Sequence, residues 1–147
     1  MHYKPLANPQ DYPKFRHTLE HLENYGYCIM GDMDPGQRQE VCYSVGMTQH
    51  GFPEVIAGME DFAHVHGGSP EILNALVMIM LDDEQPMGDG DIMQLGEQWV
   101  RLVPQTLYMP LCDILLGLYG SEFTLLQAIT CEPNPSKRIE TRPICLN

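Results

Sequence analysis

Basic residues are scarce in this chain, which has 8 Lys and Arg against 20 Asp and Glu and a formal net charge of −12. Phosphate backbones and anionic lipid surfaces repel a chain with this charge. We therefore expect no nucleic acid and no membrane among its partners. A basic protein partner is compatible with the same charge.

Long apolar runs are also missing. No stretch reaches the ~18 consecutive apolar residues of a transmembrane helix, and the first residues, MHYKPLANPQ, lack the apolar core of a signal peptide. The five cysteines, an odd number at irregular spacing, indicate neither a disulfide framework nor a zinc site. We therefore expect a cytoplasmic protein with reduced thiols.

Three motifs of nucleotide and hydrolase chemistry are absent. The chain contains no G-x-x-x-x-G-K-[ST], no G-x-G-x-x-G and no G-x-S-x-G. The sequence therefore gives no support for a phosphate-binding loop, a dinucleotide-binding fold or the nucleophile-elbow serine of an α/β-hydrolase. We predict no cofactor and no metal, and we name no catalytic residue.

The chain does contain enough apolar residues for one globular core. Its 147 residues are 44% hydrophobic, so we predict a single domain over residues 1–147, with an irregular lead-in at 1–10 and an extended tail at 132–147. Apolar periodicity predicts an α+β fold with about three helices and a mixed or mostly antiparallel sheet of about five to six strands. The predicted strands are 25–30, 41–45, 55–57, 92–96, 98–103 and 123–129.

The helices have recognisable ends. Asp11 is the expected N-cap of the first helix, with Pro13 in its first turn and Gly26 after its end. Ser69 is the expected N-cap of the second, 69–81, which is apolar nearly all round and therefore either central to the core or half of an interface. A homodimer is thus a secondary hypothesis. The third helix is predicted at 108–119, with Pro110 in its first turn.

The stretch VCYSVGMTQHGFPEVIAG, residues 41–58, is the most unusual part of the chain. It is typical of two buried strands joined by a polar loop, and such loops often carry function because a rigid scaffold presents them. We predict that this loop and a later strand bind a small polar ligand. The predicted ligand-binding residues are Tyr43, Gly46, His50, Pro53, Glu54 and Gln127.

Two of these residues are polar where the pattern is apolar. Glu54 stands at the start of a buried strand, where it is either an ordinary solvent-exposed carboxylate, the interpretation that surface statistics favour, or a group of the binding site. Gln127 lies in the middle of an apolar strand, so we expect a specific hydrogen bond from it.

Four segments carry a resemblance to a known family. Residues 25–27 (YGY), 43–47 (YSVGM), 51–58 (GFPEVIAG) and 125–129 (LLQAI) resemble the YGW, YTIGL, GHPEL and LQLVW segments of the domain of unknown function 4262 family, an uncharacterised bacterial and phage family. The similarity spans about residues 19–131. Phe52 stands where the family usually has histidine, and Cys131 where an aspartate-containing turn is common. The resemblance implies the fold and the site but no activity; if the family histidine does chemistry, His50 would have to replace it.

Two histidine pairs raise the question of a metal. His17 and His21 belong to an H-x-x-E-H sequence that resembles the motif of inverted zinc peptidases, but no further ligand is evident. His64 and His66 precede two glycines. In both pairs we favour solvated side chains over a metal site, which stays the alternative.

Three functions of different classes follow, in decreasing order of support. The first is a binding module for a small polar ligand, nucleotide-like ligands included, at the loop between the central strands. The second is an acidic interaction or inhibitor protein; in this hypothesis it is phage-encoded and directed at a host or defence factor. The third is a hydrolase-type enzyme that uses His50 and Glu54. The acidic loop at 82–91 is interpreted as a solvated loop, with a lid or a partner epitope as the alternative.

Overall fold

The computed structural model of the chain describes residues 4–34, 39–105, 112–133 and 138–142. Its helices are α1 (Pro13–Tyr25), α2 (Gly68–Asp83) and α3 (Asp113–Tyr119), with 3₁₀ turns at Pro9–Asp11 and Met47–His50. Its strands are β1 (Cys28–Asp34), β2 (Gln39–Val45), β3 (Glu54–Gly58), β4 (Ile92–Leu95), β5 (Gln98–Pro104), β6 (Leu125–Thr130) and β7 (Arg138–Arg142).

The strands of the described chain form one mixed sheet in the order β1-β2-β3-β6-β5-β4-β7. Strands β3 and β6 run parallel, as do β4 and β7, and the other neighbouring pairs are antiparallel. The predicted α+β class, with a mixed sheet and about three helices, is confirmed. Strand β7 falls within the predicted extended tail, of which residues 134–137 and 143–147 lie outside the described residues.

Helices cover both faces of the sheet. Leu76 of α2 and Val55 of β3 belong to one buried cluster. Phe15 of α1, Leu115 of α3 and Ile56 of β3 belong to the other. Because successive strand residues point to opposite faces, β3 contributes to both clusters, and the sheet is the middle layer of three.

The ends of helix α1 agree with the sequence at Pro13 and Gly26. Pro13 is in the first turn, and Gly26 ends the helix with a φ of 83°, its N–H donating to the carbonyl of Leu22. The predicted Asp11 cap is wrong. Asp11 belongs to the preceding 3₁₀ turn, and Tyr12 takes the N-cap position without a side-chain hydrogen bond.

Helix α2 starts differently from the prediction. Its N-cap is Gly67, with a φ of 86° and no side-chain cap, so the predicted Ser69 cap is wrong. The Ser69 hydroxyl instead donates to the carbonyl oxygen of Gly58 at 2.6 Å. Ser69 therefore ties the first turn of α2 to the end of β3.

Two other boundaries differ from the sequence pattern. Strand β1 begins at Cys28, not at residue 25, and extends through Asp32 and Met33, where a turn is predicted; the rest of that turn, 35–36, lies outside the described residues. Of the predicted third helix, the described part is Asp113–Tyr119. Its predicted start and Pro110 lie outside the described residues.

The apolar residues of α2 form core, with Leu73, Leu76 and Val77 having no exposed surface. Met78 is the large hydrophobic residue of this helix that reaches solvent, at 39% exposure. The helix is thus buried within its own chain, which accounts for its apolar character without a second copy. Among the described residues, no helix combines the length and the apolar character needed to cross a membrane.

Candidate functional site

The loop between β2 and β3 starts with a sharp turn at Gly46. Its φ is 114°, a region that strains residues with a side chain. A Cβ there would lie 2.6 Å from the carbonyl oxygen of Gly26 and 2.7 Å from Leu22. Gly46 is therefore required for both its backbone angle and its close approach to the end of α1.

Glu54 is buried behind this loop with no exposed surface. Its Oε1 accepts hydrogen bonds from the Ser44 hydroxyl at 2.7 Å and the Met47 N–H at 3.2 Å. Its Oε2 accepts from the N–H and the hydroxyl of Thr48, at 2.8 and 2.6 Å. The interpretation of Glu54 as a solvent-exposed carboxylate is wrong: four donors hold it inside the protein.

The same hydrogen bonds explain why the two strands separate here. The ladder between β2 and β3 ends at the Tyr43–Ile56 pair, and the next N–H, that of Val55, donates to the Ser44 hydroxyl at 2.9 Å. The space that opens is filled by the Glu54 carboxylate, which faces the N–H groups at the start of the 3₁₀ turn. Helix N-termini favour negative groups in this position. Glu54 thus fastens the loop to the sheet.

Burial sets the electrostatics of Glu54. Loss of solvation raises the pKa of its carboxyl above the ordinary value of 4.5, and the hydrogen bonds from Thr48, Ser44 and Met47 act in the opposite direction. Glu54 in turn raises the pKa values of neighbouring thiols. Burial and then the Glu54 charge raise the pKa of Cys28 to about 11.

His50 lies at the end of the 3₁₀ turn and is exposed, whereas Glu54 is buried. Its ring is exposed, with Nε2 3.3 Å from the Gly26 carbonyl oxygen, a distance at which the protonated nitrogen donates. The ring stacks on Phe52 at a centroid distance of 6.4 Å and an interplanar angle of 26°. Within the described hydrogen bonds, His50 and Glu54 have separate partners, so the structure does not bring them together as an acid–base pair.

Tyr43 is a core residue, with 1% of its surface exposed. It lies in the cluster beneath α1 and α3, together with Cys112. Burial raises the pKa of its hydroxyl, with a smaller contribution from Cys112. Tyr43 shares a row of the sheet with Ile56 and Gln127, but it offers no exposed surface to a ligand.

Gln127 makes the specific hydrogen bond expected from the sequence. Its side-chain oxygen accepts from the amide nitrogen of Gln105 at 2.8 Å. Gln105 is buried and follows the end of β5, and its backbone N–H donates to Leu125 at 3.1 Å. The side-chain hydrogen bond thus joins Gln105, which follows the last residue of β5, to Gln127, which lies within the β5–β6 ladder opposite Val103.

A cleft of about 670 Å³ opens beside the loop that Glu54 fastens. One wall consists of Thr48 and residues 51–53, the second of residues 87–89 with Pro104, and the third of residues 121–126. The cleft thus lies where the parallel strands β3 and β6 begin. Its volume is in the ordinary range for small-molecule sites. Of the six predicted site residues, Pro53 lines it.

Hydrogen bonds hold the three walls in place. The Glu54 carboxylate binds Thr48 of the first wall, and the Glu54 N–H donates to the Thr124 carbonyl of the third at 2.8 Å. In the second wall, the Gly88 N–H donates to Asp91 Oδ2 at 2.7 Å. The Leu102 N–H donates to the Asp91 carbonyl at 2.9 Å, which joins that turn to β5. The cleft is therefore preorganised.

The side chains lining the cleft are apolar, aromatic, acidic or hydroxyl-bearing, the last being Thr48, Ser121 and Thr124. Asp89 and Glu122 are the carboxylates, both exposed. Phe52 and Phe123 are half-buried, and Met87 is 6% exposed. Among the described residues, the lining contains no lysine or arginine, so its formal charge is negative.

Sequence reasoning missed the second and third walls. Residues 87–89 belong to the acidic loop that was interpreted as solvated, and 121–124 to the connection between α3 and β6. No local motif marks either segment, because they meet residues 51–53 through the sheet order β3-β6-β5.

The two histidine pairs lie apart from each other and from further candidate ligands. In the described part of the chain, no group of three or more His, Cys, Asp or Glu side chains could hold a metal ion. The His17 and His21 rings lie 5.4 Å apart on α1. His64 binds the side-chain oxygen of Gln98 at 2.6 Å.

No protein-family model, no curated protein and no solved structure matches the chain.

Proposed function

We propose that the protein is a binding module whose ligand is a small polar molecule held in the cleft beside residues 48–53. The observation that carries this proposal is the preorganised cleft of about 670 Å³. Its three walls are held by the carboxylate and the backbone N–H of Glu54 and by the Asp91 turn. A preformed site binds more tightly than a mobile one because less conformational freedom is lost on binding.

The proposal keeps the loop predicted from the sequence but changes the role of its residues. Pro53 lines the cleft directly. Glu54 and Gly46 do not line the cleft. The Glu54 carboxylate holds the loop to the sheet, and Gly46 forms the turn at which the loop starts. We include a reducing, cytoplasmic setting in the proposal, because four cysteines of the described chain are free thiols.

A thermal-shift panel followed by calorimetry tests the proposal. The panel contains nucleotides, amino acids, polyamines and sugars at saturating concentration. A ligand at 100 times its Kd raises Tm by roughly 5 °C or more for a domain of this size.

A pair of tryptophan variants locates the binding. Ser121→Trp fills the cleft from its third wall, and Thr130→Trp places the same ring at the exposed far end of β6. We expect binding to be lost in the first variant and retained in the second. A folded protein that binds nothing in the panel, or Ser121→Trp with unchanged affinity, would refute the proposal.

A second candidate, an interaction protein that captures a basic partner, also has a supporting observation. Helix α2 ends in three exposed carboxylates, Asp82, Asp83 and Glu84, and has no basic residue in its last turn. Acidic side chains at a helix C-terminus interact unfavourably with the helix dipole. These three carboxylates therefore lower the stability of α2. A phage origin and a host or defence factor as target belong to this candidate.

The second candidate is tested by affinity capture from cell extract. It predicts one stoichiometric basic protein, lost when Asp82, Asp83 and Glu84 are neutralised together. Neutralising the exposed Glu60, Asp61 and Glu97 is the matched control. Capture that survives the first triple change rules out the acidic end of α2 as the contact.

A further inference from the structure

We propose that the ligand of the cleft is a small organic cation, with an ammonium or guanidinium group on an apolar body. This inference rests on the proposed function and names the chemical class of its ligand. It follows from two properties of the lining that complement such a molecule, the charge of its walls and the rings between them.

The first property is the sign of the charge on two separate walls. Asp89 lies on the second wall and Glu122 on the third, and both side chains are exposed. No described residue of the lining is basic. The whole chain, at −12, adds to the same potential. A cation gains from these charges, whereas a phosphate or carboxylate ligand would meet them without a positive partner.

The second property is the aromatic surface. Phe52 on the first wall and Phe123 on the third are both half-buried, which leaves part of each ring at the cleft. Cations bind to the faces of such rings, and quaternary ammonium groups are recognised in this way. The His50 ring stacks on Phe52.

The wall that carries Asp89 is held in one conformation. Asp89 and Gly90 are the central residues of a turn in which the Asp91 N–H donates to the Gly88 carbonyl at 3.2 Å. The Gly90 N–H donates to the Leu102 carbonyl at 2.7 Å. These hydrogen bonds hold the backbone at Asp89, so a bound cation has to order only the side chain.

Matched ligands separate charge from shape. Choline and its neutral isostere 3,3-dimethylbutan-1-ol have the same apolar head and differ in charge; agmatine and cadaverine supply guanidinium and ammonium groups. Glutarate and adenosine monophosphate are the anionic members. Calorimetry should show a cation binding at least tenfold more tightly than its neutral or anionic counterparts, with affinity falling as salt rises.

The variant Asp89→Asn/Glu122→Gln should weaken cation binding at least tenfold while circular dichroism stays unchanged, since both side chains are exposed. Glu60→Gln/Glu97→Gln, which removes the same charge elsewhere, should change affinity less than twofold. Equal binding of choline and its neutral isostere, or preference for an anion, would overturn the inference and leave the proposed function standing. Failure of every charge class to bind would overturn both.

Discussion

Glu54 is an ionisable residue without exposed surface, and a buried carboxylate without partners would strongly destabilise the fold. Four donors from Ser44, Met47 and Thr48 compensate for that burial. They come from residues six to ten positions earlier in the chain, so the interaction is local in sequence. What the sequence could not reveal is that the strands separate and let the side chain turn inward.

Replacing Glu54 with Gln should destabilise the protein by about 1–3 kcal/mol at pH 7. An amide has a single acceptor oxygen, so one of the two backbone N–H donors, of Met47 or Thr48, loses its partner. Urea unfolding measures the change. Glu97→Gln, on an exposed turn, is the control and should stay within about 0.5 kcal/mol of the wild type.

The destabilisation by Glu54→Gln should depend on pH. Because burial raises the pKa of Glu54 in the folded state, the folded protein binds a proton more readily than the unfolded chain. The stability from this group is complete below the ordinary value of 4.5 and is lost as pH rises through the raised pKa. The difference in free energy of unfolding between wild type and Glu54→Gln should therefore become smaller as pH rises through the raised pKa. A difference that becomes larger with rising pH would show that the four donors outweigh burial.

At the level of elements, the C-terminus of α2 is strained. Glu84 has a φ of 53° and is the one described non-glycine residue in the left-handed region. Its N–H still donates to the Met80 carbonyl as a helix cap. Glycine normally occupies this position because it has no Cβ.

Replacing Glu84 with Gly should therefore stabilise the protein by about 1 kcal/mol. Glu84→Gln removes the charge but keeps the backbone angle. It should therefore raise the free energy of unfolding by a smaller amount, about 0.3 kcal/mol, because it removes only the unfavourable interaction with the helix dipole. Thermal and urea unfolding measure both variants. Equal effects of the two changes would show that charge, not backbone conformation, limits this helix end.

The helix starts show where local rules stop. Pro13 and Gly26 stand where the pattern of α1 predicts them. Ser69 has the correct residue type for a cap, but its hydroxyl has a partner outside the helix, the Gly58 carbonyl of β3. A tertiary hydrogen bond thus replaces the local one, and the sequence does not distinguish them.

At the level of the whole molecule, the two buried clusters share one sheet. Val55 belongs to the cluster under α2, and Ile56 to the cluster under α1 and α3. If the packing on one face of the sheet is lost, the strands that also support the cluster on the other face become exposed. The molecule should therefore unfold as a unit.

Coincident transitions in urea are the expected result. The fluorescence of Trp99, the single tryptophan, reports on β5, and far-ultraviolet circular dichroism reports on the helices. We expect one midpoint for both probes and an m-value of about 1–3 kcal/mol/M. Separate midpoints would show that the β5 side and the helices unfold independently.

The alternation and periodicity of apolar residues were enough to predict the α+β class, the two strands around the central loop and the apolar second helix, because these depend on spacing along the chain. They also predicted a specific hydrogen bond for Gln127, whereas for Glu54 they favoured an exposed carboxylate, which is wrong. The cleft could not be predicted in the same way. Its walls come from three separate parts of the chain, residues 48–53, residues 87–89 with Pro104, and residues 121–126. They meet only because β6 inserts between β3 and β5 in the sheet, a pairing that no local pattern encodes.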